Sequence, residues 1–164
     1  IRVIVLDLVS DMKIPAEDKH LEFKSDIDMA GNYMAPADST KIKQVFLNFI
    51  DNSIKYTKEG YVKVSLKKEK RGNLEMIKFS VSDTGMGINE ETKAKLFHKF
   101  NRGDGETSAM NSGGSGLGLY LSQEIVTAHS GEIVVESEGL GKGSTFSVLI
   151  PIDSTTSTVI PTAL

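Results

Sequence analysis

Four stretches of this chain gather residue types suited to phosphate, metal or base recognition. In QVFLNFIDNSIKY, Asn48, Asn52 and Lys55 are spaced four and three apart. Helical geometry puts all three on one face. A carboxamide oxygen is a neutral hard ligand acceptable to Mg²⁺, and a lysine brings a point charge to phosphate oxygens. A solvated polar helix face has the same pattern, so the triplet alone does not decide. Asp83-Thr-Gly-Met-Gly87 follows an apolar run. Gly85 and Gly87 permit torsions and close approaches that a Cβ blocks. An aspartate at a strand end beside them can accept from an exocyclic amine such as N6 of adenine; a plain Asx turn is the structural alternative. Gly113-Gly-Ser-Gly-Leu-Gly118 leads into an apolar helical segment, where backbone N–H groups form an anion cradle. It lacks the Gly-Lys-Ser/Thr of a Walker loop, and the polar loop before it rules against a dinucleotide fingerprint. Gly139-Leu-Gly-Lys-Gly-Ser-Thr145 reads mostly as a hairpin turn.

The elements that must position these stretches follow from periodicity. Residues 1 to 18 carry a mixed apolar pattern, read as a short strand and then a helix bent or ended by Pro15. Leu21, Phe23 and Ile27 suggest an extended segment, followed by a loop punctuated by Gly31 and Pro36. Asp38, Ser39 or Thr40 can cap a helix near residue 40, where Ile42, Val45, Phe46, Phe49, Ile50 and Ile54 recur at helical spacing up to about Thr57. Residues 61 to 66 alternate as a strand, 67 to 73 read as a charged hairpin loop, and 76 to 81 as the partner strand. A helix is expected over 89 to 100 with Asn89 as cap, a long polar loop over 101 to 116, and a helix over 117 to 128. Strands near 133 to 137 and 144 to 150 close the domain. The expected fold is α+β, a two-layer sandwich with a mostly antiparallel mixed sheet of about five strands and three helices on one face. Residues 1–153 form the expected domain, and the Ser/Thr-rich tail, 154–164, is expected to be disordered.

Bulk properties bound the function. The 164 residues suit one domain with its own core, at 39% hydrophobic and 25% charged. A net charge of −3 gives no electrostatic case for nucleic acid or an anionic membrane. The absence of cysteine excludes disulfides, thiolate chemistry and cysteine-ligated metals. No apolar run approaches the ~20 residues of a membrane-spanning helix, and no signal peptide is evident. The chain opens at Ile1 without Met. It reads as a domain of a longer protein whose membrane anchorage is left open.

The order and spacing of the motifs resemble the GHKL ATPase superfamily and, within it, the sensor histidine kinases. Gln44 to Thr57 is similar to their N box and Asp83 to Ile88 to the G1 box. Leu96 to Phe100, with Asn101 and Arg102, is similar to the F box. Gly114 to Leu119 is similar to the G2 box and Gly141 to Phe146 to the last glycine box. The resemblance covers roughly residues 36 to 151 and implies the Bergerat ATP-binding fold.

It also implies roles. Asn52 would coordinate Mg²⁺, Asn48 would assist near the phosphates, and Lys55 would contact phosphate oxygens. Tyr56 would pack on the nucleotide side of the helix. Asp83 would bind the adenine amine, with Gly85 and Gly87 admitting the base. Residues 101 to 115 would form a mobile lid, with Gly114, Gly116, Leu117 and Gly118 at its hinge and along the phosphates. Arg102 and Thr145 are further candidate contacts to ATP, and Phe97 and Phe100 are packing anchors.

Hydrolytic members of the superfamily carry a glutamate one turn before the metal-binding asparagine. Here that place holds Asn48, which cannot serve as a general base. The resemblance therefore implies transfer of the ATP γ-phosphoryl group to a protein histidine. His20, His98 and His129 do not sit in the acceptor motif of the family. The acceptor would lie on a dimerisation domain of the same parent kinase, with a response regulator downstream, and the domain itself would be cytoplasmic. A nucleotide-binding regulatory module without turnover and a GHKL serine kinase are the alternatives.

Overall fold

The structure, a computed structural model, describes residues 1–97 and 117–152. The first element departs from expectation. Arg2–Asp18 is one continuous helix, α1, with Pro15 inside it. Val5, Leu8, Met12 and Ala16 are its buried residues. Their spacing of three and four residues lines one helix face, and burying that stripe outweighs the strand preference of the β-branched start. The strand β1, Glu22–Ile27, follows, and then the helix α2, Ser39–Tyr56. The Asp38 carboxylate caps α2 by accepting from the Thr40 and Lys41 N–H groups at 3.0 and 3.1 Å.

The hairpin is longer than its charge suggests. β2 spans Tyr61–Arg71 and β3 spans Leu74–Asp83, leaving only Gly72 and Asn73 in the turn. Gly72 has φ 59, the left-handed value that a first central turn position favours in a two-residue hairpin. The charged residues remain in register because they pair. Lys78 bridges Glu69 at 2.8 Å, Lys68 bridges Glu75 at 3.6 Å, and Lys67 reaches Asp26 on β1 at 2.8 Å. The next helix, α3, is shorter than expected, Glu90–Lys95, with Asn89 as its cap. Leu96 and Phe97 leave the helix and pack, partly buried, against the core. Phe100, the 101–115 segment and the 154–164 tail lie outside the described residues. Helix α4, Gly118–Ala128, and strands β4, Glu132–Glu136, and β5, Ser144–Pro151, complete the chain.

The five strands form one sheet in the order β1-β2-β3-β5-β4. β1 runs parallel to β2, and the other pairs are antiparallel. The sheet is therefore mixed and mostly antiparallel, as the sequence suggests. Helices α1, α2 and α4 supply buried residues to a core shared with one face of that sheet. Phe46 of α2 stacks on Phe79 of β3 at 3.9 Å between ring centroids, and Phe49 meets Phe146 of β5 at 5.4 Å. These two contacts fix α2 across the centre of the sheet. The polar face of α2 is thereby held beside the ends of β3 and β5.

Candidate functional site

The polar face of α2 joins α2 to α4. Asn48 and Asn52 are half-buried. The Asn52 Nδ2 donates to Asn48 Oδ1 at 3.4 Å, and the Asn48 Nδ2 donates to Ser122 Oγ on α4 at 3.0 Å. Both ends of the Asn48 amide are thus engaged by protein. The Asn52 Oδ1 accepts no hydrogen bond from a described residue, which leaves a neutral oxygen donor at the open side of the pair. Gly118 opens α4 directly against Asn48, and a Cβ there would lie 2.6 Å from Asn48 Oδ1. Glycine at this position lets the two helices meet. Leu117 is the N-cap of α4 and makes no side-chain cap bond, so the first-turn N–H groups of the helix gain no partner from it.

Lys55 and Tyr56 lie in the last turn of α2. The Lys55 Nζ sits 5.3 Å from the centroid of the Tyr56 ring and pairs with no carboxylate among the described residues. Tyr56 is exposed. Below them, the carbonyl groups at the end of α2 are closed off. Lys19 Nζ donates to the carbonyls of Ile54, Lys55 and Thr57 at 2.7, 3.0 and 3.5 Å. Met86 N–H donates to the Tyr56 carbonyl at 3.3 Å. A cation at a helix C-terminus also opposes the negative end of the dipole.

Asp83 ends β3 facing α2. Its Oδ1 accepts from the Gly85 N–H at 2.9 Å and the Ser144 N–H at 3.3 Å. Its Oδ2 accepts from Ser53 Oγ at 3.1 Å and Ser144 Oγ at 2.8 Å. The carboxylate is held by the helix, by its own turn and by β5 together. Gly85 and Gly87 serve this packing directly. A Cβ on Gly85 would lie 2.6 Å from the Tyr56 carbonyl oxygen, and one on Gly87 would lie 2.0 Å from the Gly139 carbonyl oxygen. The turn after β4 is therefore more than a hairpin connection. Gly141 N–H donates to Met86 O at 2.7 Å and Gly143 N–H to Gly85 O at 3.1 Å. Ser137 Oγ accepts from Ile88 N–H at 2.9 Å and donates to the Gly143 carbonyl at 2.7 Å. The two glycine turns are one interlocked unit.

Thr145 lies apart from this cluster. Its hydroxyl pairs with Ser82 Oγ at 2.9 Å, in the polar row of Ser80 and Ser147. That row lies on the sheet face away from the helices. Phe146, Val148 and Ile150 point into the core. Strand alternation then sends Ser144 to the Asp83 side and Thr145 to the other. Arg102, Gly114 and Gly116 lie outside the described residues. His129 caps the end of α4: its Nε2 accepts from the Asp38 N–H at 3.0 Å, and its Nδ1 lies 2.7 Å from the Ile125 carbonyl. The Asp38 carboxyl is lowered below its usual range chiefly by the Lys41 N–H.

The motif reading misses Ser53, Ser122, Ser144 and Lys19. Ser144 had a signal, the alternation of β5. Ser53 also had one, because it falls on the buried stripe between Ile50 and Ile54. Ser122 and Lys19 had none, since their partners are 74 and at least 35 residues away along the chain.

Known proteins resemble this chain in sequence and in fold. The Vibrio vulnificus (strain CMCP6) autoinducer 2 sensor kinase/phosphatase LuxQ is 41% identical over 118 residues, covering 71% of this chain and 14% of that protein. The Synechococcus elongatus circadian input-output histidine kinase CikA is 42% identical over 116 residues, 70% of this chain and 15% of that protein. This chain thus spans about a seventh of the length of these curated relatives. Full-length ShkA in complex with AMPPNP superposes with a TM-score of 0.77 at 28% identity, covering 92% of this chain and 30% of that one. The catalytic domain of the histidine kinase ThkA gives 0.71 at 26% identity, covering 91% and 92%. The observed fold is that of histidine kinase catalytic domains. The model of the histidine kinase-, DNA gyrase B- and HSP90-like ATPases matches residues 37–154, and this chain belongs to that family.

Proposed function

We propose that this chain is the ATP-binding catalytic domain of a two-component sensor histidine kinase. It transfers the γ-phosphoryl group of ATP to a histidine on a dimerisation domain of its parent protein, which then passes it to a response regulator. Residues 1–153 form the catalytic unit, on the cytoplasmic side of any membrane the parent crosses. Asp83 accepts from the adenine amine. The start of α4, where Leu117 makes no side-chain cap bond, and the Lys55 ammonium face the phosphates.

One observation carries the choice of transfer over hydrolysis. The residue one turn before Asn52 is Asn48, and its amide is tied at both ends to Ser122 and Asn52. A carboxamide has no basic lone pair with which to activate water. The donor set also suits Mg²⁺, a hard cation bound mostly by phosphates and water with one or two protein oxygens. Asn52 Oδ1 is such an oxygen, and Mg²⁺ bound there would neutralise charge between the β- and γ-phosphates. The protein residues then have three tasks: Asp83 orients the base, Asn48 keeps α2 and α4 in register, and Lys55 offsets phosphate charge.

The test is calorimetric and radiochemical. The chain should bind Mg²⁺-ATP and prefer it to GTP. With γ-labelled ATP and a histidine-bearing dimerisation domain of a related kinase, it should deposit an acid-labile label on that domain. An acid-stable label on this chain alone would overturn the proposal in favour of a serine kinase.

A further inference from the structure

The Asp83 carboxylate is fully occupied without a ligand. A carboxylate offers about four acceptor sites. The Gly85 and Ser144 N–H groups take Oδ1, and the Ser53 and Ser144 hydroxyls take Oδ2. An incoming amine must displace one of the four. The two backbone donors are fixed by the glycine turn and by β5. Of the two hydroxyls, Ser144 makes the shorter bond, 2.8 Å against 3.1 Å for Ser53. Ser144 is also anchored by its own N–H on the same carboxylate. Ser53 is buried in α2 at 3% exposure. It does have a second acceptor within reach. A helical serine can turn its hydroxyl to the carbonyl four residues earlier, here that of Phe49.

We infer that Ser53 is a specificity-determining residue for purines that carry a six-amino group, because its hydroxyl occupies the Asp83 Oδ2 position that this amine must take. This rests on the ATP-site reading above. In the empty site Ser53 completes the shell of Asp83. On binding, the amine N–H replaces the Ser53 O–H at Oδ2, and the hydroxyl turns to the Phe49 carbonyl. The bond count at Asp83 is conserved, and the net gain from the amine is reduced by the bond that Ser53 gives up. A purine without the amine displaces nothing and is insensitive to this residue.

The experiment titrates this chain with Mg²⁺-ATP and with the Mg²⁺ complex of purine riboside triphosphate, which lacks the six-amino group. Ser53→Ala retains a good helix former. It should tighten ATP by about threefold to tenfold, the scale of one hydrogen bond to a charged group partly offset by its substitute. Binding of the amine-free nucleotide should stay unchanged. Ser53→Cys, with its weak donor, should fall between the two for ATP. An equal change for both nucleotides, or weaker ATP binding by Ser53→Ala, overturns the inference and leaves the ATP reading standing. If the wild type binds no ATP, or binds both nucleotides equally, the assignment of Asp83 to the amine fails and the inference fails with it.

Discussion

Gly87 and Gly139 meet backbone to backbone, with the Gly139 carbonyl oxygen 2.0 Å from where a Cβ on Gly87 would sit. Gly143 and Asp83 repeat the relationship, again at 2.0 Å from a carbonyl oxygen. Glycines that the sequence suggests are there to admit a base are needed first to let two protein turns touch. The placement of Asp83 depends on that contact, because the Gly85 and Ser144 donors flank it on both sides.

Gly87→Ala should therefore be among the costlier single changes in the chain. It combines a left-handed φ of 66 with a backbone collision. The expected loss is about 3 kcal/mol or more from the two effects together. Gly141→Ala is the control in the same unit, with φ 76 and open space around the added methyl. It should lose only the torsional part, about 1–2 kcal/mol. Urea denaturation of the two variants measures the difference, and equal losses would count against the interlock.

The end of α1 offers a gain. His20 sits at φ 58, and the N–H groups of His20 and Leu21 return to the carbonyls of Glu17 and Ala16 at 2.8 and 3.0 Å. That is a Schellman closure with a residue other than glycine in the left-handed position. His20→Gly should raise stability by about 0.5–1 kcal/mol, read as a higher urea midpoint at unchanged slope.

Acid should weaken the start of α2 through Asp38. Its folded carboxyl lies below the ordinary 3.8, first through the Lys41 N–H and also through the Thr40 N–H. A lowered folded value means that the stabilisation is present above 3.8 and is lost as pH falls below it. Asp38→Asn keeps a capping oxygen without a titrating group. The stability difference between Asp38→Asn and wild type should therefore shift in favour of the variant as pH drops below that value. A difference independent of pH would contradict the cap.

Much of this was legible because the signals were local. The α2 stripe from Ile42 to Ile54 and the Asn89 cap come from spacing alone, and the structure has both. The start of α1 reads as a strand because Val3, Ile4 and Val5 favour strands locally, while the burial that overrides them comes from α2 and the sheet. The hairpin reads short because the basic run of Lys67, Lys68 and Arg71 looks like a loop until its carboxylate partners are known. Lys19 could not be found from sequence, because nothing in its neighbourhood announces three carbonyls at the end of another helix. The Ser122 partner of Asn48 is hidden for the same reason.

The last prediction concerns two adjacent residues of β5. Ser144 and Thr145 are both hydroxyl residues in the glycine-rich motif, and motif matching alone does not separate them. Their side chains leave the strand on opposite faces, Ser144 to Asp83 and Thr145 to Ser82. Ser144→Ala removes the shorter of the two hydroxyl bonds on Oδ2, from the residue whose N–H also fixes Oδ1. It should loosen the carboxylate and weaken ATP binding by about threefold to tenfold. Thr145→Ala removes a bond on the far face and should leave ATP affinity within about twofold, with a stability loss of about 1 kcal/mol. The sign for Ser144→Ala is opposite to that for Ser53→Ala, although both delete a hydroxyl from the same oxygen. Ser53 has another acceptor to turn to, whereas Ser144 is the strut that aims the carboxylate. Calorimetry on the three alanine variants decides the matter. Equal effects of Ser144→Ala and Thr145→Ala on ATP affinity would mean that the motif acts through its backbone and not through the face on which each hydroxyl lies.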